Sequence, residues 1–361
     1  MSCHSELRAR VEAVLRHGQF VKGPEVAEFE EAMRHAVGVR HAIGCNSGTD
    51  ALILALKAAG IGPGDKVIVP AFTFQATANA VKWVGADPVF VDICERDFSI
   101  DLDKVERSLD EHGAAAVIAV NMFGIPAAYP ALRDIRENHK DTVLIEDAAQ
   151  SMGSKLNGHD SGSLADIGCT SFYPGKSLAG IGDGGMVFTA HDVYATRIRS
   201  FHDHGRQNMT GFSKYWATNP GMNSRLDTIQ AAALLVRLKD FPAEREFRSK
   251  QVESYRRYFA DKPVLLPVIL PGMKVNFSYF PVLYDNREAR DAAAAEFFEA
   301  GARVIYPWPL HMMGAFVERP AAPLHVAESV CLRILAFPVV HTWEANRCLC
   351  QMFGESCNAN L

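Results

Sequence analysis

Residues 115–147 read AAVIAVNMFGIPAAYPALRDIRENHKDTVLIED. The short apolar runs at 115–120 and 142–145 predict two strands. The sequence between them, at 129–138, predicts a helix. A strand, a helix and a second strand in this order are typical of a parallel sheet with helical crossovers.

The same alternation extends in both directions from this segment. Helix-like residues 75–84 precede a strand-like run at 88–92. Two more strand-like runs follow at 168–172 and 185–189. Strands alternating with helices predict an α/β fold, in which a mostly parallel central sheet carries helices on both faces.

The character of the sequence changes near Pro242. Charge-rich helical sequence surrounds this proline, and a strand-like run at 275–284 and a helix at 286–300 follow. This order predicts a smaller C-terminal α+β domain. We therefore expect a large domain over residues 1–239 and a small domain over residues 240–361.

Composition excludes several classes of protein. The chain has 361 residues and a formal net charge of −5, with no long run of lysine or arginine, which argues against a nucleic-acid partner. Its eight cysteines are scattered, which is typical of reduced thiols and completes no metal site. No apolar run reaches the ~20 residues that span a membrane. We expect a soluble, cytoplasmic protein without a metal.

The first candidate for a ligand site is the turn CNSGT, residues 45–49, because ligands of open parallel sheets bind beyond the carboxyl ends of the strands. Gly48 allows the backbone to approach a ligand closely. Thr49 is expected to cap a helix that ends near Gly60. The N–H groups of such a helix start suit a phosphate, although a capped helix without a ligand explains the same residues.

Two further candidates follow strands. Asp147 comes directly after a buried strand, where its carboxylate is placed to hold a protonated pyridine nitrogen; a surface acid or a helix cap is the alternative. Lys176 lies in a loop after the next strand. A lysine that is desolvated there condenses with aldehydes, whereas an ordinary loop lysine remains in solvent.

Two nucleotide-binding motifs are matched only superficially. The run Gly175-Lys176-Ser177 is similar to the end of a P-loop, but that motif needs glycine where Thr170 stands. Glycines at 180, 182 and 185 have the spacing of a dinucleotide fingerprint. They precede a strand instead of opening a helix, so we reject this interpretation.

Several ordered blocks together resemble the DegT/StrS-type sugar aminotransferases, which have the aspartate-aminotransferase (type I) fold and use pyridoxal 5'-phosphate (PLP). The match runs through most of the chain at consistent spacing. Its blocks include GCNSGTDAL (44–52), PAFTFQATANAV (70–81), EDAAQSMGS (146–154), SFYPGK (171–176) and GMNSRLDTIQAA (221–232).

The resemblance assigns roles to particular residues. Lys176 corresponds to the lysine that forms the Schiff base with PLP and then moves protons, and Asp147 to the partner of the pyridine nitrogen. Two residues, Asn223 and Arg225, correspond to positions that reach the phosphate and the substrate from a neighbouring subunit, which implies a homodimer with shared active sites. The remaining cofactor positions are Gln150 near the phenolic oxygen, Phe74 stacked on the ring, and Gly48, Thr49 and Ser171 at the phosphate.

The resemblance also implies a reaction. An amino acid, by analogy glutamate, gives its amino group to the cofactor, which passes it to a keto-sugar nucleotide. Tyr173 within YPGK resembles the branch that acts on 3-oxo sugars. Two departures bear on the sugar: Ile305 stands where relatives often carry histidine, and the run NFSYF at 276–280 is unusual. Tyr306 and His311 are candidate substrate contacts, with packing as the alternative.

Other functions stay open from the sequence. A 4-oxo sugar or a keto-cyclitol is an alternative substrate for the same chemistry. A sugar dehydratase of the same fold carries histidine at the Schiff-base position, and Lys176 argues against it. A non-catalytic regulator has no need to keep Lys176, Asp147 and Gly48 together.

Overall fold

The computed structural model describes residues 3–206, 211–316 and 323–340. Residues 341–361 of the predicted small domain therefore lie outside the described residues. The helices are α1 (Cys3–His17), α2 (Pro24–Val37), α3 (Gly48–Ala58), α4 (Ala76–Trp83), α5 (Leu102–His112), α6 (Tyr129–Arg136), α7 (Asp192–Phe201), α8 (Thr228–Phe259), α9 (Arg287–Glu296) and α10 (His325–Arg333). The strands are β1 (His41–Cys45), β2 (Lys66–Pro70), β3 (Asp87–Val91), β4 (Ala116–Val120), β5 (Val143–Asp147), β6 (Lys155–Leu156), β7 (His159–Asp160), β8 (Ile167–Ser171), β9 (Gly185–Thr189), β10 (Val264–Leu265), β11 (Met273–Lys274), β12 (Tyr279–Tyr284) and β13 (Ile334–Pro338).

A seven-stranded sheet forms the centre of the described chain, in the order β1-β9-β8-β5-β4-β2-β3. Its strands β3, β2, β4, β5 and β8 pair in parallel, and only β9 runs against its neighbours β8 and β1. The predicted mostly parallel sheet is therefore confirmed. It places the carboxyl ends of β5 and β8 side by side, because Asp147 pairs with Cys169.

Helices cover both faces of this sheet, as predicted. On β4, Ile118 belongs to a buried cluster with Leu52 of α3, whereas its neighbour Val117 packs with Leu109 of α5 on the opposite side. Side chains of a strand point alternately to its two faces. Both faces of β4 are fully buried, which explains why the strand reads as one continuous apolar run.

The change predicted near Pro242 is not a break in the helix. Helix α8 continues through this proline from Thr228 to Phe259, with the proline itself exposed. A proline inside a helix removes one hydrogen bond. Buried residues before and after it, such as Phe241 and Val252, hold the helix in place through packing. The division of the chain at 239/240 stays a prediction.

A second layer follows α8. Strands β10, β12 and β13 form an antiparallel sheet. This sheet packs with the end of α8 around Tyr255, Phe280 and Phe337. The same cluster includes Phe72 and Phe123 from loops at the edge of the central sheet, so the C-terminal residues lie directly against the candidate site.

The start of α3 corrects one expectation. The N-cap is Ser47, whose hydroxyl accepts a hydrogen bond from the Asp50 N–H at 3.1 Å, and Thr49 already lies inside the helix. Gly60 follows the helix with a φ of 87°, a left-handed conformation that glycine adopts without strain.

Candidate active site

The start of α3 packs against the end of β8. A Cβ added at Gly48 would lie 2.7 Å from the Ser171 Cβ, so only glycine permits this approach. Ser47, Gly48 and Thr49 thus bring the first turn of a helix to the carboxyl edge of the sheet. The N–H groups of a first helical turn lack partners within the helix, and the helix dipole is positive there, so this corner is suited to a phosphate.

Asp147 ends β5 and is 6% exposed. Its carboxylate accepts hydrogen bonds from the Thr77 hydroxyl and from the Ala149 N–H, each at 3.1 Å. Burial raises the pKa of Asp147, while the Ala149 bond, the charge of Lys176 and the Thr77 bond act in the opposite direction. A buried carboxylate in this position is most stable when a positive charge lies next to it.

Lys176 lies in the loop after β8, where its N–H donates to the Tyr173 carbonyl at 2.8 Å. Burial lowers the pKa of Lys176, and the Asp147 carboxylate partly opposes that effect. Among the described residues, its amine has no hydrogen-bond partner. The amine is therefore desolvated, near an acid, and available for a nucleophilic reaction.

Gln150, Tyr306 and Phe74 meet beside this pair. The Gln150 side chain is 8% exposed and its Nε2 donates to the Tyr306 hydroxyl at 3.1 Å. The Tyr306 ring lies 6.2 Å from the ring of Phe74, which is exposed at the surface of the site. Burial raises the pKa of Tyr306 and the charge of Asp147 raises it further, whereas the Gln150 hydrogen bond acts in the opposite direction.

The pair predicted from the neighbouring subunit lies on one surface segment. Asn223 is exposed, and the adjacent Ser224 hydroxyl donates to Asp50 at 2.6 Å and accepts from the Asn46 N–H at 3.3 Å. The segment therefore touches the start of α3 in its own chain. Arg225 donates to the buried Asp203 carboxylate at 2.8 Å.

Asp203 anchors three cations. Burial opposes its ionisation, yet hydrogen bonds from Lys22, Arg206 and Arg225 hold the pKa of Asp203 well below its usual range. A cavity of 620 Å³ borders this cluster. Arg225 is thus held in one place at the edge of a cavity, outside the direct surroundings of Lys176.

His311 is buried, and its role as a substrate contact stays a prediction. Its ring is 4% exposed and its Nε2 lies 3.1 Å from a Glu328 carboxylate oxygen. Its Nδ1 has no partner among the described residues. Packing between the 3-10 turn Leu310–Met312 and α10 accounts for the position of the ring.

Two residues of the site are absent from the sequence-based prediction. Thr77 donates to Asp147, and Ser278 donates from its hydroxyl to Gln150 Oε1 at 3.0 Å. Thr77 lies within a block that the resemblance covers, which is the only signal that points to it. Ser278 belongs to the run 276–280 that stands out as unusual, but nothing local shows that it reaches Gln150.

Asp147, Lys176 and the start of α3 thus form a candidate active site at the carboxyl edge of an α/β sheet, where burial makes the Lys176 amine easier to deprotonate. The chain belongs to the DegT/DnrJ/EryC1/StrS aminotransferase family, whose model matches residues 2–348. It is an aminotransferase. This confirms the family expected from the sequence blocks and the type of reaction.

Three similar proteins illustrate the relationship. The UDP-2-acetamido-2-deoxy-3-oxo-D-glucuronate aminotransferase of Pseudomonas aeruginosa is 37% identical over 92% of this chain and 90% of its own. The structure of S. venezuelae DesV in complex with a ketimine intermediate is 34% identical, with a TM-score of 0.89 over 97% of this chain and 93% of DesV. The structure of NtdA from Bacillus subtilis with bound cofactor PMP is 28% identical, with a TM-score of 0.87 over 98% of this chain and 81% of NtdA.

The described residues contain neither a candidate membrane span nor a candidate metal site. No helix in the described ranges is long and apolar enough to cross a membrane. Within the same ranges, no group of histidine, cysteine, aspartate and glutamate side chains is arranged to hold a metal ion.

Proposed function

We propose that this chain uses PLP to move an amino group from an amino acid, by analogy glutamate, to the keto carbon of a nucleotide-linked sugar, with a 3-oxo sugar favoured. One observation carries the proposal: the buried Asp147 carboxylate and the desolvated Lys176 amine lie close enough for each to change the other's pKa. The relatives of known name support the substrate class, since one acts on a UDP-linked 3-oxo sugar.

The residues present suit PLP. Asp147 is a buried acid in need of a neighbouring positive charge, which a protonated ring nitrogen supplies. The first turn of α3, held against Ser171 by Gly48, is suited to the phosphate. Phe74 is exposed where a ring has room to stack. Gln150 and Thr77 complete the set of polar side chains around the same space.

Each residue then has a defined task. The bound cofactor supplies a carbonyl carbon that bonds amines and a ring that withdraws electrons. Asp147 keeps the ring nitrogen protonated. Lys176 would hold the cofactor between turnovers. Once displaced, its amine would accept a proton from the α-carbon of the amino donor and deliver it to the cofactor's former carbonyl carbon. Its lowered pKa leaves more of the amine neutral and able to accept that proton.

A homodimer with shared sites is part of this proposal. Exposed apolar residues lie beside the segment that carries Asn223 and Arg225. Val21 forms an antiparallel backbone bridge with Asp227, and the Phe20 carbonyl accepts a hydrogen bond from the Thr228 N–H. Trp216, 73% exposed, lies next to Ala217, which pairs with Arg206. Exposed apolar side chains beside a predicted site segment are consistent with a surface that a second subunit covers. A cytoplasmic location is also proposed, since Cys45, Cys94, Cys169 and Cys331 are free thiols.

The experiment follows the cofactor's visible absorption. Purified protein loaded with PLP is expected to lose its yellow band when glutamate is added and to regain it when a keto-sugar nucleotide is supplied. Screening UDP- and dTDP-linked 3-oxo and 4-oxo sugars and keto-cyclitols identifies the acceptor. An absorption band that does not change with any amino donor would favour a non-catalytic binding protein. Consumption of the keto-sugar by elimination of water, without nitrogen transfer, would favour a dehydratase.

A further inference from the structure

Ser278, which the sequence marks as part of an unusual run, is tied to the active-site amide. Its hydroxyl lies 3.0 Å from Gln150 Oε1, and its N–H donates to the Phe123 carbonyl at 3.0 Å. The Phe123 N–H donates to the same Gln150 oxygen at 3.0 Å. Ser278, Phe123 and Gln150 therefore form one closed hydrogen-bonded group.

This group fixes which end of the Gln150 amide faces Tyr306. A backbone N–H only donates, so the atom that Phe123 contacts is the carbonyl oxygen, and the Ser278 hydroxyl donates to it as well. The amide nitrogen is left to donate to the Tyr306 oxygen at 3.1 Å. The Tyr306 oxygen thus accepts a hydrogen bond, and its own proton remains to be donated.

That proton has no acceptor in the part of the chain that the structure describes. The Tyr306 backbone has a φ of 52°, a left-handed conformation that few residues other than glycine adopt. Its ring packs edge-on against Phe72 at 6.0 Å and near Phe74 at 6.2 Å. Packing and backbone together hold the phenol in one place, beside the Gln150 amide and the exposed ring of Phe74.

We propose that Ser278 is a positioning residue, which fixes the Gln150 amide so that the Tyr306 hydroxyl donates its proton to an oxygen of the bound keto-sugar. This inference rests on the proposed function, because it assumes a keto-sugar acceptor. It assigns Ser278 to the second half of the reaction, in which the sugar is bound. Without Ser278 the Phe123 N–H still holds the Gln150 oxygen, so the amide stays beside the cofactor and the amino-donor half is expected to keep its rate.

The test compares half-reactions in the PLP-loaded full chain. Its acceptor is the nucleotide keto-sugar that reacts in the screen described above. Ser278→Ala is expected to slow the keto-sugar half-reaction about fivefold, as the loss of one hydrogen bond does, while the glutamate half-reaction keeps its rate. Ser278→Thr keeps the hydroxyl and is expected to restore the rate. Thr142→Val is the matched control, because it removes a buried hydroxyl at the opposite end of β5.

A double-mutant cycle shows whether Ser278 acts through the tyrosine. Tyr306→Phe alone is expected to slow the keto-sugar half-reaction about tenfold. Adding Ser278→Ala to Tyr306→Phe is expected to change the rate no further, because the proton that Ser278 directs is already gone. If Ser278→Ala lowers expression, Ser278→Cys, which keeps a weak donor, is expected to give an intermediate rate.

Three results would overturn the inference. The first is a Ser278→Ala enzyme that matches the wild type in both half-reactions. The second is equal slowing of both half-reactions, and the third is slowing that persists in full on the Tyr306→Phe background. Failure of the proposed function itself looks different: the wild type then reacts with neither glutamate nor any keto-sugar.

Discussion

At the scale of single residues, Lys176 is distinguished by its surroundings. Thirty-seven lysines and arginines occur in the chain. Burial near the Asp147 carboxylate lowers the pKa of Lys176, so its amine is neutral and nucleophilic more readily than that of an exposed lysine. A charge of the same sign at the same place is therefore no substitute for the reactive amine.

Replacing this lysine tests its role directly. Lys176→Ala and Lys176→Arg are each expected to reduce transamination more than about a hundredfold, since neither side chain bonds to an aldehyde or moves the proton. The measurement is steady-state turnover with glutamate and the accepted keto-sugar. Lys250→Ala on α8 is the control and should retain wild-type turnover. A Lys176→Ala enzyme running at full rate would rule out the mechanism.

Asp147 is expected to support the cofactor chemistry while lowering the free energy of unfolding of the apoprotein. Burial raises its pKa, so the folded apoprotein binds more protons than the unfolded chain between the ordinary and the raised pKa of this carboxyl. The free energy of unfolding therefore falls as pH rises through that window. At neutral pH the apoprotein carries this cost, and Asn at this position removes it.

The prediction for Asp147→Asn has two parts. The variant apoprotein is expected to unfold at a higher urea concentration than wild type at neutral pH, with the difference shrinking at mildly acidic pH. Its transamination rate is expected to be strongly reduced, because a neutral amide does not hold a proton on the ring nitrogen. A variant apoprotein less stable than wild type at neutral pH would show that hydrogen bonds to Thr77 and Ala149 outweigh burial.

At the scale of elements, the junction of α3 with β8 depends on a missing side chain. A methyl group at Gly48 would meet Ser171 at 2.7 Å and push the helix start away from the edge of the sheet. Gly48→Ala is therefore expected to weaken PLP binding at least about tenfold, measured by titrating apoprotein with the cofactor. Gly314→Ala is the matched control, since nothing lies within 4 Å of a Cβ there. Equal PLP affinities in the two variants would show that the cofactor's phosphate does not bind at the start of α3.

The elements also show where sequence patterns reach their limit. The strand at 185–189 is predicted residue for residue, because burial of a short apolar run on both faces is a local property. The cap of α3 is assigned to Thr49 from the sequence, but the backbone places Ser47 there. Helix α8 continues through Pro242, near which the sequence predicts a change of domain. In both cases packing with distant segments decides between similar local choices.

At the scale of the whole molecule, the proposed dimer predicts that two inactive variants complement each other when they form hybrid dimers. Lys176→Ala lacks the reactive amine, and Arg225→Ala lacks the residue proposed to reach the neighbouring site. Random mixing gives about half hybrid dimers, each with one intact site of two, so about a quarter of wild-type activity should return. The measurement is turnover after co-expression of the two differently tagged chains.

The control for this experiment uses two changes in the same site. Co-expressing Lys176→Ala with Asp147→Asn should restore far less, if these two residues belong to one subunit's half of the site whereas Arg225 belongs to the other. Recovery by neither pair, or a monomer in light scattering at working concentration, would contradict shared sites.

The sequence by itself determined the elements, the alternation that makes the sheet mostly parallel, and the blocks that identify the family. These features are local, since strand and helix periodicity and loop motifs lie within a few residues of one another. It also named Asp147 at the end of one strand and Lys176 in the loop after another, and the resemblance assigned their roles.

Only the tertiary structure decided how distant segments meet. It placed Tyr306 on Gln150, Ser278 behind that amide and Thr77 on Asp147, and it buried His311 against Glu328. Such contacts depend on strand order and on the packing of the C-terminal layer against the central sheet. They join residues far apart in the chain, and no local period carries that information.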